Sequence, residues 1–186
     1  MKTIVFFLEE PSAKEMLKGI LPRFLPSEFN TRYVVFQGKQ DMEKQLERRL
    51  RGWLLPDSLF VILRDQDSAN CQDVKAGLVE LCVKSGKGEA LVRIACKELE
   101  SFYLGDLEAV ERGLELRGIA DKQGKRKFRS PDDLGNPYME LSALTGNLYQ
   151  KVSGSRSIGP HLNLDGNRSR SFCALVAGIK KLAECP

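Results

Sequence analysis

The chain has 186 residues, 42% hydrophobic and 29% charged, a composition that fits one soluble globular domain and excludes a disordered or fibrous chain. No uninterrupted apolar run approaches the roughly 20 residues that span a bilayer, and the N-terminal MKTIVFFLEE turns acidic before a signal-peptide core can form, so a cytoplasmic protein with no membrane association is expected. The formal net charge of +4 is uneven: residues 1–116 carry 17 Lys and Arg against 19 Asp and Glu, whereas residues 117–186 carry 12 against 6.

In chain order, TIVFFL (3–8) reads as a strand and PSAKEMLKGILPRFL (11–25) as a helix that opens on proline and repeats apolar residues at helical period. RYVVF (32–36) is a second strand. KQDMEKQLERRLRGWL (39–54) is an amphipathic helix with Met42, Leu46, Leu50, Trp53 and Leu54 on one face. LFVIL (59–63) is unbroken by polar residues, as a central parallel strand should be. Residues 70–84 form a third helix with Val74, Leu78, Leu81 and Cys82 inward, and ALVRIAC (90–96) a fourth strand. Alternation of this kind predicts an α/β fold, a mainly parallel sheet of about four strands flanked by helices. Beyond this core of residues 1–116 the pattern changes. GIADKQGKRKFRSPDDLGNP is polar and punctuated by Gly and Pro, a surface loop. Short helices near 137–145 and 154–162 and an amphipathic helix near 168–183 then form a helical C-terminal extension, residues 117–186, packed on the same domain. The five cysteines, at 71, 82, 96, 173 and 185, are odd in number and lack Cys-x-x-Cys spacing. They read as buried thiols, with neither a zinc site nor a disulfide framework.

Three of the predicted strands run into acids: Glu9 and Glu10 after the first, Asp65 and Asp67 after the third, Glu98 and Glu100 after the fourth. In open parallel sheets ligands bind outside the carboxyl ends of the strands, so these carboxylates are expected together. Clustered carboxylates raise one another's pKa unless a cation lies among them. Hard oxygen donors without a His or Cys cluster favour Mg²⁺ or Mn²⁺. The Asp-x-Asp spacing suits this, because residues i and i+2 of an extended segment point the same way. The basic second half would then supply phosphate contacts: Lys125, Arg126, Lys127 and Arg129 on the nucleic-acid backbone, and Lys151, Arg156 and the single histidine, His161, in YQKVSGSRSIGPHL. Lys151 or Arg156 could neutralise charge on a transferring phosphoryl group. The same stretch also reads as a plain turn into a capped helix, and Arg64 as a charged partner for the neighbouring aspartates.

FLEEPSAKEML and VILRDQDS, a strand ending in Glu before a turn and helix and a later strand ending in Asp-x-Asp, resemble the Toprim fold. Topoisomerases, primases, recombination proteins and the overcoming-lysogenization-defect nucleases share that fold. More narrowly, KELESFYLGD, KRKFRSPDDLGNP, YQKVSGSRSIGPHL and NRSRSF make nearly the whole chain similar to the bacterial family of domain of unknown function number 4276. The Toprim resemblance implies that Glu9 is a general acid/base or metal-coordinating residue and that Asp65 and Asp67 are metal ligands. It further implies a nuclease of bacterial defence that works with an ATPase; the chain has no Gly-x-x-x-x-Gly-Lys-Ser/Thr loop, so that ATPase would be a separate protein. Two positions depart from the pattern: Glu10 stands where Toprim motifs usually have Gly, and Ala13 where the nuclease branch often carries a further acid. Glu10, Glu98 or Glu100 would supply the missing charge. Two readings follow: a Mg²⁺- or Mn²⁺-dependent nuclease with Glu9, Asp65, Asp67 and Lys151 as catalytic residues, or a non-catalytic adaptor that binds nucleic acid or an ATPase.

Overall fold

A computed structural model describes residues 2–184; Cys185 lies outside them. Strands β1 (Thr3–Leu8), β2 (Asn30–Val35), β3 (Ser58–Asp65) and β4 (Leu91–Ala95) form one sheet in the order β2-β1-β3-β4, with every neighbouring pair parallel. From β1 the chain first moves to one side, to β2, and then crosses to the other side to build β3 and β4. β1 and β3 therefore flank the point where strand order reverses, the position at which such sheets bind ligands. Their register aligns Leu8 with Leu63, so residues 9 and 64–65 leave the sheet side by side.

Side-chain alternation along the strands divides the interior in two. Val5, Phe7, Phe60 and Ile62 face a smaller core completed by α2 (Lys39–Arg51) and α3 (Cys71–Lys84), through Met42, Leu46, Leu50, Leu78 and Cys82. Ile4, Phe6, Leu8, Val61 and Leu63 face a larger one. That side is covered by α1 (Pro11–Ile20), α4 (Glu100–Leu104), α5 (Leu107–Gly113), α6 (Pro137–Leu144), α7 (Lys151–Ile158) and α8 (Arg170–Glu184). Ile158, Phe172, Leu175 and Ile179 share this core with the strands, so both halves of the sequence build it. Among the described residues no helix is long and apolar enough to cross a membrane.

Several expectations change in detail. α1 stops at Ile20, short of residue 25, and a 3₁₀ turn over Leu21–Arg23 follows, because Pro22 cannot supply the amide that an α-helix needs there. α2 ends against Gly52, so Leu54 leaves the helical phase and is 88% exposed instead of facing inward. α7 begins at Lys151, three residues before the expected 154. Its Gly154 packs on the Tyr149 ring, where an added Cβ would lie 2.5 Å from Cδ2, so the glycine that reads as a turn signal is a close-packing residue inside a helix. The basic loop is exposed but anchored: Phe128 is buried, and the Gln123 side-chain amide donates to the carbonyls of Leu104 and Phe128. Of the four described cysteines only Cys82 is buried; Cys71, Cys96 and Cys173 are partly exposed.

Candidate active site

Glu9 continues the alternation of Val5 and Phe7, and Arg64 that of Phe60 and Ile62, so both lean toward the smaller core. Glu9, only 8% exposed, accepts from the backbone N–H of Asp65 through Oε2 at 3.2 Å. Arg64 Nε stands 3.8 Å from that same oxygen, while Arg64 Nη1 donates to Glu43 Oε1 of α2 at 2.6 Å. Arg64 is thus a partner of two glutamates and not of the aspartates beside it in sequence, since alternation sends it to the face opposite Asp65. Burial raises the Glu9 pKa and the Asp65 N–H opposes the rise, with Asp67 and Glu10 adding to it and Arg64 opposing.

Glu10 and Asp65 fall on the other side, toward α4 and α7. Lys151 Nζ donates to both oxygens of Glu10, at 3.1 and 3.2 Å, and lies 5.7 Å from the centroid of the Tyr138 ring. Glu100, in the first turn of α4, is 1% exposed. Its Oε1 accepts from Tyr149 Oη at 2.9 Å, and its Oε2 has no hydrogen-bond partner. Tyr103 Oη donates to Ser155 Oγ at 2.6 Å, and Ser155 Oγ to the carbonyl of Lys151, which sets the first turn of α7 against α4. Burial raises the Asp65 pKa well above the usual carboxylate range, reinforced by Glu100, Glu9 and Glu10. Burial likewise raises that of Glu100, with Lys151 and Tyr149 opposing. Burial alone would lower the Lys151 pKa, but Glu100, Glu10 and Asp65 outweigh it, and the ammonium is held above its ordinary value.

The other carboxylates are engaged elsewhere. β3 ends at Asp65, and Asp67 adopts a left-handed backbone, φ 55°. The rule that residues i and i+2 share a side holds only while the chain is extended, and here it lapses. Asp67 turns toward α2 and ion-pairs with Lys39 at 2.9 Å, while its N–H donates to the Lys97 carbonyl. Glu98 Oε2 accepts from the Tyr138 N–H, at 2.7 Å, in the first turn of α6. Among the described residues no three His, Cys, Asp or Glu side chains converge closely enough to ligate one ion.

The basic residues scatter. Lys125, Arg126 and Arg129 are exposed, and Lys127 pairs with Glu140 of α6, the helix whose first turn meets Glu98 and Lys151, so the loop flanks the acidic edge. Arg156 Nε binds Glu15 Oε2 at 2.6 Å along the seam between α1 and α7, a strut and not a free cation. His161 lies beyond the far end of α7, in a 230 Å³ cleft with Arg23, Asp106 and Arg112, away from the carboxylates. A larger groove, 780 Å³, opens beside the ends of β3 and β4, and Lys75, Arg93, Lys97 and Arg170 contribute to its lining. These cations escaped the sequence reading, although Lys97, directly after the fourth strand, carried a positional signal.

A four-stranded parallel sheet whose adjacent central strands end side by side at Glu9 and Asp65 is a Toprim-like α/β arrangement. A solved structure described as the C-terminal region of the Burkholderia pseudomallei OLD protein is similar in fold, with a TM-score of 0.55 over 97% of this chain and 98% of that one at 15% sequence identity. The chain belongs to the family described as Domain of unknown function (DUF4276), which matches residues 8–180. Comparison with curated proteins found no match.

Proposed function

We propose that this protein is a divalent-metal-dependent phosphodiester hydrolase acting on DNA or RNA, with its active centre on the larger-core side of the acidic edge. The supporting observation is unbalanced charge: Asp65 stands near Glu100, Glu9 and Glu10, and the buried Glu100 Oε2 has no partner. An all-oxygen donor set short of positive charge fits Mg²⁺ or Mn²⁺. Asp65 and Glu100, the two carboxylates of that side without a cationic partner among the described residues, would hold the ion, since Mg²⁺ is commonly held by one or two carboxylates together with water and substrate phosphate. Once bound, a divalent ion supplies Lewis-acid polarisation of a phosphate oxygen. Tyr149 keeps Glu100 oriented, and the Asp65 N–H does the same for Glu9. Lys151, positioned by Glu10 and backed by Tyr138, is the cation available to developing phosphoryl charge. Lys97, Arg170 and the exposed loop residues Lys125, Arg126 and Arg129 bind the nucleic-acid backbone.

The competing reading is an adaptor without catalysis. Its support is that Glu9, Glu10 and Asp67 already have cationic partners. A cleavage assay with Mg²⁺ and Mn²⁺ on single- and double-stranded DNA and RNA separates the two. The parent should cleave; Asp65→Asn should lose at least ~10²-fold, and Asp67→Asn less than ~10-fold, the scale of a surface ion pair. Lys151→Ala should lower turnover more than binding, whereas alanines at Lys125, Arg126, Lys127 and Arg129 should weaken binding and flatten its salt dependence. A parent that binds nucleic acid but cleaves none with either metal establishes the adaptor.

A further inference from the structure

We propose that Cys71 and Cys96 form a redox-active dithiol that closes to a reversible disulfide. Cys71 is the first residue of α3, and Cys96 directly follows β4. The segments carrying them are already held together beyond the sheet: Gln66 N–H donates to the Ala95 carbonyl at 2.9 Å, Asp67 N–H to the Lys97 carbonyl at 2.8 Å, and Lys97 N–H to Gln66 Oε1 at 3.2 Å. Cys71 lies close enough to Cys96 to help hold its thiol protonated, and closing the bond brings the two sulfurs to about 2 Å. Both line the 780 Å³ groove, which gives a small oxidant access. The other described thiols are placed differently. Cys82 is buried in the smaller core, and Cys173 Sγ donates to the Asn167 carbonyl at 3.1 Å.

The oxidant is a hydroperoxide. One thiol, having given up its proton, attacks the peroxide oxygen; the O–O bond breaks, an S–O bond forms, and water or an alcohol leaves. The second sulfur displaces the hydroxyl from that sulfenic acid as water and forms the S–S bond. Two electrons pass from the sulfur pair to the peroxide, and both thiol protons end on oxygen. The new bond ties the start of α3 to the end of β4 and restrains the intervening edge, on which Asp67, Lys75 and Lys97 sit. The inference stands whether or not the protein cleaves nucleic acid.

The test treats the full chain with hydrogen peroxide, blocks remaining thiols with N-ethylmaleimide and maps the peptides by mass. A Cys71–Cys96 cross-link that dithiothreitol reverses is expected, with a melting temperature raised by roughly 5–10 °C in the parent and unchanged in Cys71→Ser and Cys96→Ser. Blocked Cys71 and Cys96 after oxidation, separate sulfinic acids on each, or a cross-link running instead through Cys173 or Cys185 would overturn it. Mapping of the parent protein decides the matter even if a serine variant fails to fold.

Discussion

On the face of the sheet covered by α2 and α3, Asp67 is paired with Lys39 and Arg64 serves both Glu9 and Glu43. On the opposite face Lys151 pairs with Glu10, yet among the described residues neither Asp65 nor the buried Glu100 has an ion pair. Carboxylates that hold elements together are matched by cations within the protein, as expected of charges placed for structure. A pair left unmatched at the carboxyl ends of central strands costs stability in the isolated protein, and a bound cation would recover that cost. The packing differs too. The smaller core is closed by two helices with exposed outer faces, whereas the larger draws α1, α7 and the turn after α7 into close contact through glycines.

The packing contrast can be broken with one kind of substitution on each face. At Gly19 an added Cβ would lie 2.6 Å from the backbone N of Pro160, so Gly19→Ala should destabilise by roughly 1–3 kcal/mol through overpacking. At Gly77 of α3 an added Cβ meets nothing within 4 Å, so Gly77→Ala should stabilise by about 0.5–1 kcal/mol. Urea-unfolding midpoints that move in the same direction would show the α1–α7 seam to be no tighter than the surface of α3.

The electrostatic contrast predicts the next effect. Tyr149→Phe leaves Glu100 with neither oxygen hydrogen-bonded and should cost about 1–3 kcal/mol in the same unfolding experiment. Lys39→Ala, which breaks the exposed pair with Asp67, should cost under about 1 kcal/mol. Equal costs would remove the distinction between the two sides.

The smallest effect has a defined pH dependence. Because the folded-state pKa of Asp65 is raised, its contribution to stability is fully present below the unfolded value and is lost as pH rises through the folded one. At neutral pH and without divalent ions, Asp65→Asn should therefore raise the melting temperature, by roughly 2–4 °C. The gain should disappear near about pH 3, where the parent carboxyl is protonated in both states. Asp67→Asn, whose carboxylate Lys39 already matches, should give no such gain. Calorimetric scans at the two pH values distinguish the cases.

Much of the frame was legible in the chain itself. The four apolar runs predicted the strands to within two residues at each end. Alternation with amphipathic helices predicted that they run parallel, and parallel strands deliver their carboxyl ends to one edge, which is why Glu9 and Asp65 could be expected to meet. These features depend on local period and on the chirality of short connections, which neighbouring residues encode. The partners within the edge were decided by tertiary structure. Lys151 reaches Glu10 across 141 residues and Tyr149 reaches Glu100 across 49, pairings that depend on which faces of α7 and α4 are turned inward. Asp67 departs from Asp65 through one left-handed residue beyond the end of β3, and Cys71 and Cys96 line one groove because β3 and β4 are neighbours whose trailing segments remain hydrogen-bonded. No spacing in the sequence carries these contacts, since each is set by how separately determined elements pack rather than by the period of any one of them.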